Sequence, residues 1–441
     1  MGESLSSLPV STRLRRIAEM ARDDGRVFTS LVHLIDVPLL RASFARLRKK
    51  VSAGIDGRTK EEYSEDLESN LADLHLRLRE KRYRATPARR VRIAKESGGE
   101  RVLSIPALED KIVQGAASLL LQSIYEPVFY GFSYGFRQGR SPHEALEALW
   151  RELQRMGGGW IIDADIHGYF DHVPHGQLKE VLQRRVNDGG LLRLIGKWLK
   201  TGCVEGGMAF HPETGVPQGG VISPVLSNIY LHEVLDDWYA REVRPRLRGR
   251  SFLIRFADDF LICCELEHDA RRVLDVLAKR LAVYGLQLHP EKTRLLCFKR
   301  PPREGGSGGK GTFEFLGFTH HWGRSRRGKW TVQRRTSARR SSRALSALEE
   351  WCKRNRHLPL HEQSQRLSLK LLGHYSYFGI KGNYACLRRF YRRCQRLWHK
   401  WLSRRGGRRL TWPRLKATKS FQRLPRPRLV HSRIQLALSG Q

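Results

Sequence analysis

Two aspartates stand side by side in "SFLIRFADDFLICCE", residues 251–265, with strongly apolar runs on either side. Asp258 and Asp259 repel each other, and rigid apolar strands would hold them in place, so a hard divalent cation is the natural neutraliser. An ordinary turn is the competing explanation, because Asp bonds its own backbone at turns. More acid lies in "WIIDADIHGYFDH", residues 160–172, where Asp163 and Asp165 are two apart and share one face of a regular strand. An Asp at a strand end also serves as a helix N-cap. In "GVPQGGVISPVLSNIYL", residues 215–231, Pro and Gly let the backbone approach a ligand closely, and Gln218 bonds through both ends of its amide. A plain loop before a helix would look similar. Taken together, three carboxylates, a Gln-Gly turn and a basic hairpin carrying Lys95 and Arg101 make a consistent phosphoryl-transfer site.

The elements that must position these groups follow from periodicity. The runs around Asp258 contain no Pro or Gly and read as two short buried strands joined by a tight turn. Residues 1 to about 90 read as helices, and "VRIAKESGGERVLSIP" reads as a hairpin around Gly98 and Gly99. Residues 108–125 form an apolar helix, and a further helix starts at Ser223. Between 159 and 322, strand-like runs alternate with amphipathic helices, the pattern of an α+β domain on one sheet. "REGGSGGKG" at 303–311 is a flexible linker, and beyond residue 330 the chain reads as helices.

The 441 residues suffice for two or three domains with real cores, and no apolar run is long enough to span a membrane. "MGESLS" formally fits a myristoylation pattern, with no second membrane signal beside it. Seven cysteines without a C-x-x-C pair argue against a disulfide framework and a zinc module, and a reducing cytoplasm is the expected location. The net charge of +37 is unevenly spread: from His321 to Gln441 there are 32 Lys and Arg against 3 acidic residues, so over three quarters of the excess lies in the last 121 positions. Aromatics interleave with the basic residues in "FYRRCQRLWHKWLSRR", which predicts a nucleic-acid surface with Arg388, Arg389, Arg392 and Arg393 on it.

In order along the chain, "SAGIDG", "LSIPALEDKIVQ", "YGFRQGRSPHEAL", "DADIHGYFDH", "GVPQGGVISPVLSNIYL", "RFADDFLI", "LHPEKT" and "FEFLGF" resemble the successive blocks of a group II intron reverse transcriptase. "LLGHYSYFGIKGNYACLRRFYRRCQRLWHKW" resembles that family's maturase-specific thumb. The resemblance implies a right-hand polymerase: N-terminal extension and fingers at 1–155 (hairpin 91–106), an antiparallel-sheet palm at 156–322, a helical thumb or maturase domain at 323–405, and a basic tail at 406–441. It implies that Asp165, the Ile166 backbone, Asp258 and Asp259 hold two Mg²⁺ ions, with Mn²⁺ as an alternative. Phe170 matches the steric gate against a ribose 2′-hydroxyl, Gln218 and Gly219 the turn beside the incoming sugar, and Lys95 and Arg101 the triphosphate-holding residues. Phe256 and Ala257 match the primer-side neighbours of the acidic pair.

The sequence also departs from the family pattern. Phe256 stands where Tyr is usual, and Ala94 and Ser104 replace the usual Pro and Gly of the fingers hairpin. The C-terminal residues contain no Cys- and His-bearing endonuclease pattern, which implies that the chain does not itself cut a second DNA strand. The expected partners are group II intron RNA or another structured RNA template, a DNA primer or target, and dNTPs, with no membrane; the oligomeric state stays open. Three roles share these residues: a mobile-element polymerase and maturase, a domesticated enzyme with a host task in repair or defence, and a splicing factor whose polymerase site is a relic. Intact Asp165, Asp258, Asp259 and Gln218 speak against the relic.

Overall fold

The computed structural model describes residue 5 and residues 8–94, 99–205, 208–210, 213–302, 311–405 and 410–431. Lys95, most of the Gly-rich stretch at 303–311 and much of the basic tail lie outside the described residues. Eleven strands occur among them: β1 Ala88–Ala94, β2 Glu100–Ile105, β3 Gly158–Ala164, β4 Cys203–Glu205, β5 Met208–Phe210, β6 Ser251–Phe256, β7 Asp259–Cys264, β8 Arg294–Lys299, β9 Phe313–Phe315, β10 Phe318–Arg324 and β11 Trp330–Thr336. The fold is mixed α/β, with strand orders β2-β1-β4-β5, β6-β7-β3-β8 and β11-β10-β9. It divides into two compact units that are not consecutive in sequence: 1–141 with 162–262 and 268–294, and 142–161 with 263–267 and 295–441.

In the first unit, the apolar helix Leu108–Tyr125 forms over the expected residues and carries Glu109 and Asp110 in its first turn, where acids complement the helix dipole. Ile112, Val113, Leu120 and Ile124 along it are fully buried; each such aliphatic contributes roughly 1.5–3 kcal/mol relative to exposure. The hairpin β1–β2 pairs antiparallel, with Arg101 opposite Ile93 and Ser104 opposite Arg90. Both faces of β6 and β7 are covered: Leu253, Ile254, Phe260, Leu261 and Ile262 are 3% exposed or less. Strands buried on both faces read as continuous apolar runs, which is why this hairpin was legible.

The second unit holds the antiparallel sheet β9–β11 and three long helices, Ala338–Arg354, Leu360–Phe378 and Tyr384–Leu402. Leu345, Leu348, Leu371, Leu387 and Trp398 belong to the core of these helices, and the Trp398 indole donates to Gln363 Oε1 at 2.9 Å. One sequence expectation is corrected here, because the chain past residue 330 begins as the strand β11 and not as a helix. Its alternation hides behind an inward-facing Arg334, which is buried, donates to the Leu146 carbonyl at 3.1 Å and pairs with Glu147. The outer edge of β11 meets the helix Pro142–Met156, whose Trp150 indole donates to the Val332 carbonyl at 2.9 Å while Gln154 Oε1 accepts from the Val332 amide at 3.0 Å.

Candidate active site

Asp165 sits one residue beyond the end of β3, and its main chain is fixed by an isolated antiparallel bridge between Ile166 and Leu288. The bonds of that bridge run from His289 N to Asp165 O at 2.7 Å and from His167 N to Gln287 O at 2.8 Å. The Ile166 carbonyl takes no part in them and is directed away from Leu288. The Asp165 carboxylate accepts from Lys292 Nζ at 2.7 Å. Asp163, two residues earlier and still within β3, lies 3.9 Å from the Arg294 guanidinium.

The acidic hairpin turns through Ala257 and Asp258. Ala257 has φ +58, a left-handed conformation that costs a residue with a Cβ roughly 1–2 kcal/mol. Asp258 is half-buried, and its carboxyl is raised above the usual range, first by burial and then by the Asp165 carboxylate; its own backbone amide, Arg101 and Arg255 oppose the rise. Arg101 of β2, Asp165 after β3 and Asp258 at the β6–β7 turn therefore share one electrostatic neighbourhood. Asp259 opens β7 on the exposed side. Among the described residues no group of three His, Cys, Asp or Glu side chains is close enough to hold an ion, and the acid that acts on Asp258 is Asp165.

Three more of the predicted residues, Phe170, Gln218 and Gly219, are placed by backbone contacts. Phe170, half-buried in the short helix Tyr169–His172, accepts at its carbonyl from Val216 N at 2.7 Å. That helix is anchored by the buried Tyr169, whose hydroxyl donates to the Ser227 carbonyl at 2.8 Å. The Gln218 carbonyl accepts from Ser104 N at 2.6 Å, which ties the Gln-Gly turn to β2. Gly219 has φ +107, and a Cβ there would lie 2.7 Å from the Ser104 carbonyl oxygen, so the approach requires glycine. Phe256 ends β6 half-buried. Arg388, Arg389, Arg392 and Arg393 belong to the second unit, exposed on the helix Tyr384–Leu402.

Three residues near the acids were not singled out from the sequence. Lys292 lay inside "LHPEKT", 127 positions from the Asp165 that it pairs with, and no local pattern joins the two. Arg255 is a cation inside an apolar strand run, a signal that was visible; it is fully buried and ion-paired to the equally buried Asp236. Removing one member of such a pair strands the other charge, typically at about 3–5 kcal/mol. Gly135 backs directly onto the acidic turn, because a methyl there would overlap the Ala257 amide.

The donor set fits hard divalent cations. It offers carboxylate oxygens with a main-chain carbonyl beside them, and the repulsion that Asp258 feels from Asp165 calls for positive charge between them. At present an ammonium, Lys292, answers part of that demand.

Residues 93–320, just over half of the chain, match the profile of the family described as Reverse transcriptase (RNA-dependent DNA polymerase). The chain belongs to the reverse transcriptase family. Arg101, Asp165, Gln218, Asp258, Asp259 and Lys292 all lie within that span. This reverse transcriptase is 33% identical over 329 residues to Protein YkfC of Escherichia coli, covering 65% of the present chain and 84% of YkfC. It is 34% identical over 305 residues to the Group II intron-encoded protein LtrA of Lactococcus lactis, covering 66% of this chain and 51% of LtrA. It also shares 28% identity over 149 residues with the Nuclear intron maturase 4, mitochondrial, of Arabidopsis thaliana, over 34% of this chain and 18% of the relative. The reverse transcriptase thus spans about half the length of LtrA.

Proposed function

We propose that this chain copies RNA into DNA at the acids around Asp258, and that it does so as a group II intron-type polymerase and maturase. In this reading Asp165, the Ile166 carbonyl, Asp258 and Asp259 hold two Mg²⁺ ions, which Mn²⁺ would replace. When bound, such ions lower the pKa of the primer 3′-hydroxyl and neutralise the departing pyrophosphate. Arg101, with Lys95, holds the triphosphate; the Gln218–Gly219 turn lies against the sugar; and the Phe170 ring excludes a 2′-hydroxyl. Lys292 keeps Asp165 charge-balanced while no cation is present and exchanges places with one. Residues 1–155 serve as extension and fingers, 156–322 as palm, 323–405 as thumb or maturase and 406–441 as a basic tail.

The observation that carries the reading is the convergence of Asp165 on Asp258, with Arg101 beside them, inside the span that matches the family. The maturase role is supported by the similarity to LtrA and by the exposed arginines of the C-terminal helix. Asp165→Asn or Asp258→Asn should lower cDNA synthesis on a poly(rA)/oligo(dT) template by two orders of magnitude or more, the order of loss expected when electrostatic stabilisation of the transition state is removed. Binding of structured RNA should persist. Polymerisation at the wild-type rate in either variant would defeat the assignment.

A further inference from the structure

Arg255 spends its whole guanidinium on the acidic turn and its support. Nε and Nη2 donate to the two Asp236 carboxylate oxygens at 2.7 and 2.5 Å, and Nη1 donates to Asn228 Oδ1 and to the Ala257 carbonyl, each at 3.0 Å. Arg255 and Asp236 are fully buried and Asn228 nearly so. The side chain three residues before Asp258 therefore grips the main chain of the residue whose left-handed φ makes the turn.

A second set of contacts also holds the turn. Asn228 Nδ2 donates to the Gly135 carbonyl at 2.6 Å, and Gly135 packs against the Ala257 amide with no room for a Cβ. Main-chain bonds from Tyr134 N to Arg255 O and from Arg255 N to Phe132 O, both 2.9 Å, bind the same segment to β6.

The helix that supplies the two acceptors is wound to suit. Asn228 lies on the α-helix Ser223–Leu231, and Asp236 on the π-helical stretch His232–Asp237 that continues it. In a regular α-helix, residues eight apart point about 80° away from each other around the axis. The wider π turn advances fewer degrees per residue and brings Asp236 back toward the face that carries Asn228. One guanidinium can then engage both.

We propose that Arg255, oriented by Asp236 and Asn228, is a positioning residue that holds the Ala257–Asp258 turn in its left-handed form, so that Asp258 faces Asp165 and the pair binds divalent cations. This rests on the reading of Asp165 and Asp258 as the cation-binding acids. A misplacement of the order of 1 Å in such a constellation costs up to about a hundredfold in rate.

The test uses the full chain in three variants, each first checked for folding by circular dichroism and thermal melting. Arg255→Lys keeps the charge and loses the fork; Asn228→Ala leaves the Arg255–Asp236 pair intact and keeps the test alive if Arg255→Lys does not fold; Asp258→Asn is the control. Mn²⁺ binding is titrated by electron paramagnetic resonance without nucleotide, and single-turnover extension is measured beside it. The expected result for Arg255→Lys and Asn228→Ala is Mn²⁺ affinity weakened about tenfold and extension slowed ten- to a hundredfold, with the dNTP KM changed less than threefold. Adding Ala257→Gly to either should restore part of both losses, because glycine enters the left-handed region without a Cβ clash. Folded variants with wild-type Mn²⁺ affinity overturn the proposal, whatever their rate, and so does a loss that Ala257→Gly leaves untouched. If Asp258→Asn itself binds Mn²⁺ and extends normally, the site assignment is what fails; if that control is dead while Arg255→Lys matches the wild type, only the positioning role falls.

Discussion

Replacing Arg388, Arg389, Arg392 and Arg393 by Gln tests the separation of nucleic-acid holding from chemistry. On the helix Tyr384–Leu402 these four positions cover an arc of about 140° at 100° per residue, and the buried Leu387, Phe390, Cys394 and Trp398 occupy the opposite side. All four arginines are exposed, so their loss removes no core contact. Each phosphate neutralised on a duplex contributes about 0.9 to the slope of log affinity against log salt. Four contacts would weaken binding roughly 150-fold over a fourfold rise in salt, and two contacts roughly twelvefold. The quadruple variant should therefore bind structured RNA with a salt slope shallower by about 2 to 4. The measurement is a set of binding titrations at several salt concentrations, run beside single-turnover extension on a saturating short primer and template, which should be unaffected. An unchanged slope with lost extension would place this face in the polymerase machinery and refute the division.

Other perturbations address the site and its frame. Phe170→Val should raise rNTP incorporation relative to dNTP, read from paired single-nucleotide kinetics; a constant ratio would move the gate elsewhere. Gly219→Ala forces a Cβ against the Ser104 carbonyl and a non-glycine residue into φ +107, a strain of about 1–3 kcal/mol, so kcat/KM for dNTPs should fall about tenfold while RNA affinity holds. Asp110 is buried, and burial pushes its carboxyl up to about 6 although the Tyr83 hydroxyl and the Thr86 amide bond to it. A raised carboxyl stabilises the fold below its unfolded value near 4 and loses that contribution as pH rises through about 6, a change of roughly 3 kcal/mol. The difference in Tm between wild type and Asp110→Asn should accordingly shift in favour of the variant between pH 4 and pH 6.5, and a pH-independent difference would show that folding leaves the Asp110 carboxyl unshifted.

Local patterning made much of the frame legible. The β6–β7 hairpin and the helix Leu108–Tyr125 were readable because their apolar residues are nearly continuous and end at clear turn or proline signals. The strand β11 was not, since "WTVQRRT" points an arginine inward and pairs it with Glu147, 187 positions away. At the site, residue types revealed the acids and the Gln-Gly turn, while the electrostatic tie from Asp258 to Asp165 and the Lys292 contact depend on long-range placement. The π-helical stretch that aims Asp236 has no apolar period to announce it. Its cue was Arg255, a charge placed where only apolar residues belong unless a buried partner exists.

The edge of β11 has a bearing on how copies of this protein avoid one another. An open strand edge is a template for pairing between chains, and a free polypeptide of charge +37 is kept from such contacts by repulsion. On a polyanion that repulsion would be largely cancelled. The indole of Trp150 and the amide of Gln154 occupy the outward carbonyl and amide of Val332. That protection is made of hydrogen bonds and not of net charge, so it persists when the nucleic acid has neutralised the surface.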